Sequence, residues 1–420
     1  MPSLRVALLI VLGIGAAGTA QSAQVCRGPN GFVDSDLHAR TFLWRPEWLR
    51  ALKADRNTPQ LSPTVQALFG EADAALREGP FTVVNKSHVP PSGDKHDYYS
   101  VAPYSWPNPN TPNGLPYIDR DGEVNPERYS DAFDTGALEK MSRAVASLAL
   151  AYYVSDDKRY ATRAADLLRT WFVTPATRMN PNLRFAQAVP GKVDGRAAGL
   201  IDAYRLVRVV EAVGLVGKSG ALDKADQAAL EAWFGSYAEW MSTDPIAIAE
   251  RDSTNNHGIY YDAQLMSFAL MARRDVMARA IAGRFMANRI ATQVEPDGSL
   301  PRELKRTRSF HYTNYALAGA FDVAQFAQCL NIDLWNARAP NGRTLRSAFD
   351  YVARYAGREK EWPYPELRMD PSELRDLLVR ASWAWGSKDY AAAAARSGGQ
   401  PIGSLSSFLR VEPISDGRAK

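Results

Sequence analysis

Cysteine is scarce in this sequence, with Cys26 and Cys329 the only two in 420 residues. Two widely separated cysteines are too few for a structural zinc site, which needs about four ligands. In an oxidising compartment they could form one disulfide between the N-terminal arm and the late helices, and two unpaired thiols are the alternative. The motifs G-x-S-x-G, H-E-x-x-H and the P-loop are missing as well. We expect neither a metal site nor a cofactor.

Excess charge of one sign is also small. The chain has 50 Lys and Arg residues against 46 Asp and Glu residues, a formal net charge of +4. The basic residues are scattered, whereas a nucleic-acid-binding protein needs a basic patch on one face. We therefore predict no nucleic-acid partner, although a slight basic surplus is compatible with an anionic polymer.

Long apolar runs are confined to the N-terminus. Residues 1–24 contain Arg5, the apolar run VALLIVLGIGAAG and the small-residue segment AQSAQ, which is the pattern of a secretory signal peptide. No later run is long enough to span a bilayer, so we expect no membrane span once the signal is removed. The prediction is a periplasmic or secreted protein in which residues 25–420 form one domain.

Helical periodicity, in contrast, is abundant. From Asp134 onward apolar residues recur at three- and four-residue spacing, as in ALEKMSRAVASLALAYYV and YATRAADLLRTWFV, which a short polar turn separates. Similar segments follow almost to the C-terminus, and we find no convincing alternating strand pattern among them. Helix pairs joined by short turns predict an all-α fold, an (α/α) toroid or incomplete barrel of antiparallel hairpins around a central cleft.

Residues 79–128 have a different composition. They are rich in Pro, Gly and Asn, yet they also contain several Tyr and Trp residues. Long irregular segments inside compact domains are uncommon and usually functional, and aromatic residues argue against disorder. We predict a long, ordered Pro/aromatic loop that lines the cleft.

Polar side chains concentrate where packed helices would not need them. The segment RDSTNNHGIYYDAQ places Asn255, Asn256 and His257 before a helix, where Asn255 alone would suffice as the N-cap. A second segment, PRELKRTRSFHYTNYAL, supplies Arg306 and Tyr312. Amide, imidazole, guanidinium and phenol groups are suited to holding a carboxylate and moving a proton.

β-Elimination in a uronic-acid polymer is a reaction that needs such groups. The C5 proton is weakly acidic while the neighbouring carboxylate is charged, so donors from Asn256 and His257 would neutralise that carboxylate and stabilise the enediolate. Tyr312 would take the C5 proton as base and also protonate the C4 oxygen as acid. Arg306 would keep the pKa of Tyr312 low or bind the polymer.

Four segments, in order, resemble the secreted alginate lyase domain family over roughly residues 80–355. They are SVAPYSWPNPNTPNGLPYIDRDGEVNPE, TRMNPNLRFAQAVPG, NNHGIYYDAQ and PDGSLPRELKRTRSFHYTNYAL. The resemblance implies a helical toroid that cleaves polyuronates, with catalytic roles for Asn256, His257, Arg306 and Tyr312. The Arg–Tyr spacing is one residue shorter than in the alginate-specific branch, and PYSWPNP is more similar to the branch that includes β-1,4-glucuronan lyases. The implied substrate is an anionic polysaccharide, either alginate (polymannuronate) or glucuronan.

The resemblance also implies that residues around the four catalytic positions bind the substrate. Asn182 and Gln187 would be ligands of a carboxylate or a sugar hydroxyl. The others are cleft-lining residues or neighbours of the catalytic residues: Lys95, Tyr98, Trp106, Tyr261, Arg302 and His311.

Two other functions are open at this point. A hydrolase on the same kind of toroid would need two carboxylates flanking the bond, and Asp97, Asp262 and Glu303 are candidates. A protein that binds polyuronates without cleaving them is the second alternative. A lyase leaves a conjugated double bond with ultraviolet absorbance, which neither alternative would produce.

Overall fold

The structure is a computed structural model that describes residues 26–32, 40–54, 56–59 and 62–397. The predicted signal peptide, residues 1–24, lies outside the described residues. The α-helices are α1 (Pro46–Ala54), α2 (Ser62–Ala75), α3 (Thr135–Ser155), α4 (Lys158–Leu168), α5 (Leu206–Val216), α6 (Lys224–Thr243), α7 (Pro245–Arg251), α8 (Asn256–Met271), α9 (Asp275–Phe285), α10 (Ala291–Gln293), α11 (Pro301–Leu304), α12 (Ser309–Cys329), α13 (Leu345–Ala353), α14 (Pro371–Ala384) and α15 (Lys388–Arg396). The strands are β1 (Tyr99–Val101), β2 (Ser105–Trp106), β3 (Ile118–Asp119) and β4 (Phe185–Ala188).

Short 3-10 and π turns supplement these elements. The 3-10 segments are Gly28–Asn30, Val83–Asn85, Pro126–Tyr129, Ala197–Arg205 and Glu359–Glu361, and the π turns are Arg169–Val173 and Met286–Ile290. Ala197–Arg205 runs directly into α5, so the segment AAGLIDAYRLVRVVEAVGLV is helical throughout but changes its winding at Leu206.

The helices divide into inner and outer members according to how much of each is buried. Every residue of α8 except His257 is buried, and α5 and α12 are buried along almost their whole length. A helix that is apolar on all sides has to be surrounded by other elements. The outer helix α4 is amphipathic, because it buries Tyr160, Ala164 and Leu168 on one face and leaves Arg159 exposed.

Packing between successive helices closes these elements into a ring. Helix α3 packs against α2, α4 and α5, and α8 packs against α5, α6, α9 and α12. Helix α14 then contacts α12 and α15. Sequential helices that pack pairwise around buried inner helices form the predicted (α/α) toroid, and the all-α fold class is confirmed.

Two small sheets accompany the helices, and of their strands only β4 lies in the region after Asp134 where the sequence showed no convincing strand pattern. β1 pairs in parallel with β4, and β2 pairs antiparallel with β3, with Trp106 opposite Ile118. Each strand has only two to four residues. Periodicity cannot reveal such short strands, because it needs at least about four residues to show alternation.

The segment before α3 is ordered by a buried ion pair. Lys86 Nζ lies 3.0 Å from Asp134 Oδ2 and donates to the carbonyl oxygens of Val83 at 2.7 Å and Lys95 at 2.8 Å. Both charged side chains are almost fully buried. Burial raises the pKa of Asp134 to about 7, although Lys86 opposes the shift. The predicted ordered loop therefore has a specific anchor at its start and its end.

The N-terminal arm is fastened to the ring in two ways. Cys26 and Cys329 form a disulfide, which joins the arm to the last residue of α12. The backbone N–H groups of Phe42 and Trp44 donate to the buried carboxylate of Glu211 at 3.0 and 2.8 Å. Of the two alternatives predicted from the sequence, a disulfide or two unpaired thiols, the structure contains the disulfide. None of the helices in the described ranges is both long and apolar enough to cross a bilayer.

Candidate active site

The N-terminal turn of α8 is built around a glycine. Asn255 is the N-cap, and its Oδ1 accepts a hydrogen bond from the backbone N–H of His257 at 3.2 Å. A Cβ on Gly258 would lie 2.2 Å from the carbonyl oxygen of Ser253 and 2.5 Å from Arg289 Nη1. Arg289 donates to that carbonyl and to the carbonyl of Arg251, at 3.0 and 2.7 Å. Only glycine permits this close approach, which fixes the turn that carries His257.

Asn256 is fully buried and faces a carboxylate. Its backbone N–H and its Nδ2 donate to the two carboxylate oxygens of Glu303 at 2.6 and 2.8 Å. Its Oδ1 is buried without a hydrogen-bond partner among the described residues. This differs from the prediction that Asn256 offers a donor to a substrate carboxylate, because Nδ2 is bonded to Glu303 and no part of Asn256 is exposed.

His257 is the one residue of α8 that reaches the surface, with 21% of its side chain exposed. Its Nδ1 lies 2.6 Å from Oε1 of Glu250, whose side chain is only 2% exposed. Glu250 lies in α7, seven residues before the histidine. Glu250 was not among the predicted residues. The signal was an acidic residue near the end of a short helix that immediately precedes the polar segment.

Tyr312 lies in the first turn of α12 and has two close partners. Its hydroxyl is 2.5 Å from the hydroxyl of Tyr104, which belongs to the loop before α3. The Arg306 guanidinium lies over its ring, 3.7 Å from the ring centroid. Asp121 in turn binds Arg306, with distances of 3.2 Å to Nε and 2.5 Å to Nη2. Neither Tyr104 nor Asp121 was among the predicted residues.

The pKa of Tyr312 differs from the sequence expectation. Burial raises it well above its ordinary value and the Tyr104 phenol adds to the increase, whereas Arg306 opposes it. The prediction that Arg306 keeps this pKa low is therefore right about the sign of the Arg306 effect and wrong about the net direction. Burial dominates because only 7% of Tyr312 is exposed.

The segment KEWPYPE, residues 360–366, holds the start of α12. Ser309 donates to the carbonyl oxygen of Pro365 from its backbone N–H at 2.9 Å and from Oγ at 2.6 Å. The indole Nε1 of Trp362 donates to Ser309 Oγ at 2.7 Å. His311, beside Tyr312, has its Nδ1 2.7 Å from Glu373 Oε1 and 24% of its side chain exposed. A second histidine–carboxylate pair therefore lies at the start of α12.

Glu303 connects the two helix N-termini. It is bonded to Asn256 at the start of α8, and it lies close enough to Arg306 and His257 for both to influence its pKa. Burial is the largest effect and raises the pKa of Glu303, while the hydrogen bonds from Asn256 lower it. Glu303 thus relates the α8 turn to Arg306, which precedes α12 and lies over the Tyr312 ring.

The sequence model of the family described as alginate lyase matches residues 82–362, more than half of the chain. This chain belongs to the alginate lyase family. An alginate lyase from Bacteroides ovatus of known structure is 37% identical, with a TM-score of 0.84 over 89% of this chain and 99% of that chain. A curated alginate lyase of Pseudomonas syringae pv. syringae (strain B728a) is 26% identical over 62% of this chain.

The coverage of these relatives differs. The match spans 65% of the Pseudomonas syringae protein, somewhat less than two thirds of its length. Alginate lyase A1-III from Sphingomonas species A1 is 16% identical, with a TM-score of 0.57 over 93% of this chain and 98% of that chain. At that identity the similarity shows the alginate lyase fold alone.

Three predicted substrate-binding residues of this alginate lyase family member are buried beneath the site. Tyr98 is completely buried and its hydroxyl donates to Asp202 at 3.1 Å. Gln187 donates to the same carboxylate at 2.9 Å, and Tyr261 donates to the carbonyl oxygen of Met241 at 2.7 Å. In this structure the polar atoms of the three side chains are used inside the protein, and their contact with the substrate stays a prediction.

The remaining predicted residues lie at or near the surface. Lys95 and Arg302 are exposed, and Arg302 Nη1 donates to the carbonyl oxygen of Thr254, beside the N-cap of α8. Asn182 is half-buried and donates to Asp97 at 3.0 Å. Trp106 is half-buried, and its Nε1 donates to the carbonyl oxygen of Glu123 at 2.9 Å. These four residues stay predictions.

Proposed function

We propose that this chain is a polysaccharide lyase that cleaves a β-1,4-linked polyuronate by β-elimination. The observation that carries the proposal is the environment of Tyr312. Its hydroxyl lies 2.5 Å from that of Tyr104, and the Arg306 guanidinium lies over its ring. A buried phenol next to a second phenol and a cation is equipped to give up and regain a proton. Membership of the alginate lyase family supports the same reaction class.

In this mechanism the Tyr312 oxygen handles one proton twice. As the phenolate it takes the C5 proton, while the electrons of the C5–H bond form the double bond and the C4–O bond breaks. The leaving C4 oxygen then takes the proton from Tyr312, so that the residue is restored. Arg306 favours the phenolate and so opposes the effect of burial on the pKa of Tyr312.

The substrate carboxylate is held from the other side of the site. His257 is the exposed donor, and Asn256 with Glu303 holds the turn from which His257 projects. Neutralising the carboxylate lowers the free energy of the enediolate that forms when C5 loses its proton. Alginate is the substrate that the names of the relatives support, and the shorter Arg–Tyr spacing keeps glucuronan as a second candidate.

The surroundings of the three candidate carboxylates argue against a hydrolase. Asp97 accepts hydrogen bonds from Asn180 and Asn182, both at about 3 Å. Asp262 is fully buried and paired with Arg289 at 2.8 Å, and Glu303 is bonded to Asn256. A glycosidase needs two carboxylates that both reach the glycosidic bond. All three candidates have structural partners instead.

The experiment that tests this function is incubation of the protein with polymannuronate, polyguluronate, glucuronan and hyaluronan, followed by ultraviolet absorbance and reducing-end assays. We expect both signals to rise together with polymannuronate or glucuronan. New reducing ends without absorbance would indicate a hydrolase, and tight binding with neither signal would indicate a binding protein. Secretion or periplasmic location is proposed from the N-terminal signal sequence, and cell fractionation tests it.

A further inference from the structure

The buried carboxylate of Glu250 is not used in the mechanism above, yet it is bonded to the residue that meets the substrate. Its Oε1 lies 2.6 Å from His257 Nδ1, and its Oε2 lies 3.4 Å from Ser253 Oγ. The side chain of Glu250 is 2% exposed, and its contact with the imidazole is shorter than its contact with Ser253. A buried carboxylate that accepts a hydrogen bond from a histidine determines which ring nitrogen carries the proton.

The tautomer has a consequence for binding an anion. With Glu250 as acceptor, Nδ1 carries a hydrogen, and Nε2 is the nitrogen left for a ligand. In the neutral imidazole Nε2 has a lone pair, which a uronate carboxylate would repel. Only the imidazolium form can donate from Nε2 to that carboxylate. His257 therefore needs a second proton to act as the predicted donor.

We propose that Glu250 is a positioning residue that keeps His257 as an imidazolium when a uronate binds, so that binding is accompanied by uptake of a proton. The inference rests on the proposed function, since it assumes that a uronate carboxylate is the ligand of His257. It assigns Glu250 a part in recognition of the substrate charge. The bound imidazolium then lies between two carboxylates, one from the protein and one from the polymer.

Other charged and titratable groups face this pair from the neighbouring elements. Arg196, which precedes the 3-10 segment, lies close enough to Glu250 for the two opposite charges to attract each other. Glu303 in α11 lies near enough to His257 for the histidine to lower the pKa of Glu303. Tyr237 in α6 lies near Glu250, and burial raises its pKa well above the ordinary value, so it stays neutral. Arg289 is committed to Asp262 and to backbone carbonyls. Glu250 and Glu303 are thus the two carboxylates that lie near the His257 imidazole.

Proton uptake can be measured without catalysis. The Tyr312→Phe variant should bind an oligouronate without cleaving it, and titration calorimetry in two buffers of different ionisation enthalpy gives the number of protons taken up. Around pH 8, where an ordinary histidine is neutral, we expect uptake approaching about one proton per bound chain. No uptake at any pH between about 6 and 9, or release of protons, would overturn the proposal.

A second variant tests Glu250 itself. Glu250→Gln keeps an oxygen that can accept from Nδ1 but removes the charge, so the pH of greatest uptake should fall by about one unit or more. The alkaline limb of kcat/KM should move in the same direction, with KM rising more than kcat falls. Glu239→Gln, at an exposed ion pair with Arg274 in the same part of the ring, is the matched control and should change neither quantity.

The possible failures are distinguishable. If Tyr312→Phe binds no uronate and the wild-type protein forms no unsaturated product, the proposed function fails. If the variant binds oligouronate without any proton uptake, the proposed function stands and the role of Glu250 is wrong. If Glu250→Gln shifts the acid limb of the kcat/KM pH profile, His257 acts in its neutral form. That result would also overturn the positioning role of Glu250.

Discussion

The N-terminal turns of α8 and α12 each present a histidine whose Nδ1 is held by a carboxylate, but the two turns are stabilised differently. The turn of α8 is fixed mostly by neighbours close in sequence, with Asn255 as cap and Glu250 seven residues before His257. The turn of α12 depends on segments far away in sequence, namely Tyr104 and Asp121 from the loop before α3 and residues 360–366.

In the proposed mechanism this difference separates recognition of the substrate from proton transfer. The α8 side supplies a donor on a tightly packed turn, where even one additional methyl group at Gly258 has no room. In the proposed mechanism the α12 side supplies the proton carrier, and its partners come from two distant parts of the chain. Because the α12 turn is held by distant segments, a substitution in any of them can alter its geometry. The α8 turn should respond mainly to substitutions among its own core contacts.

The largest effect is expected in the core under the α8 turn. Arg289→Met leaves the fully buried Asp262 without its closest partner, and breaking such a buried pair costs about 3–5 kcal/mol of unfolding free energy. Arg284→Met is the matched control, because Arg284 is 33% exposed and its distance to Asp262 is 3.3 Å. Urea unfolding measures both, and equal losses in the two variants would contradict the assignment of Arg289.

The next effect concerns the proton carrier. Tyr104→Phe removes the hydroxyl that lies 2.5 Å from Tyr312, and we expect kcat to fall by about 10- to 100-fold, since the proton carrier loses its hydrogen-bond partner. KM should change little, and the pH at which activity rises should decrease, because the Tyr104 phenol raises the pKa of Tyr312. Tyr129→Phe is a control of the same chemistry on an exposed residue of the same loop. An unchanged pH profile in Tyr104→Phe would contradict a role in proton transfer.

A smaller effect is expected where residues 360–366 cross α12. Trp362→Phe deletes the hydrogen bond to Ser309 Oγ, which should lower the unfolding free energy by about 1 kcal/mol and reduce kcat slightly. Trp240→Phe removes an indole whose Nε1 has no hydrogen-bond partner in the described part of the chain. Thermal unfolding compares the two variants, and only Trp362→Phe should also change kcat. A larger kcat loss from Trp240→Phe would argue against this anchoring.

The smallest effect concerns Glu303, which joins the two turns. Because burial raises its pKa in the folded protein, its contribution to stability is present at low pH and is lost as the pH rises through the folded value. Glu303→Gln should therefore make the unfolding free energy less dependent on pH above about 4.5, the ordinary value for glutamate. Urea unfolding at mildly acidic and neutral pH tests this, and a steeper dependence in the variant would contradict it.

The sequence predicted the helices that have a clear apolar periodicity and a recognisable N-cap. The helices, the toroid and the N-cap of α8 follow from such local patterns. The partners of Tyr312 could not be predicted, because Tyr104 and Asp121 are about 200 residues away from it and no local rule relates them. Burial could not be predicted either, so the sequence did not show that the polar atoms of Tyr98, Gln187 and Tyr261 bond inside the protein.

The central claim is that the Tyr312 hydroxyl moves the proton in a β-elimination. The most direct measurement is the rate of increase of ultraviolet absorbance when a polyuronate is incubated with the wild-type protein and with Tyr312→Phe. We predict an increase with the wild type and a rate about 10³-fold lower in the variant, with the fold unchanged by circular dichroism. Equal rates in the two proteins would contradict the claim.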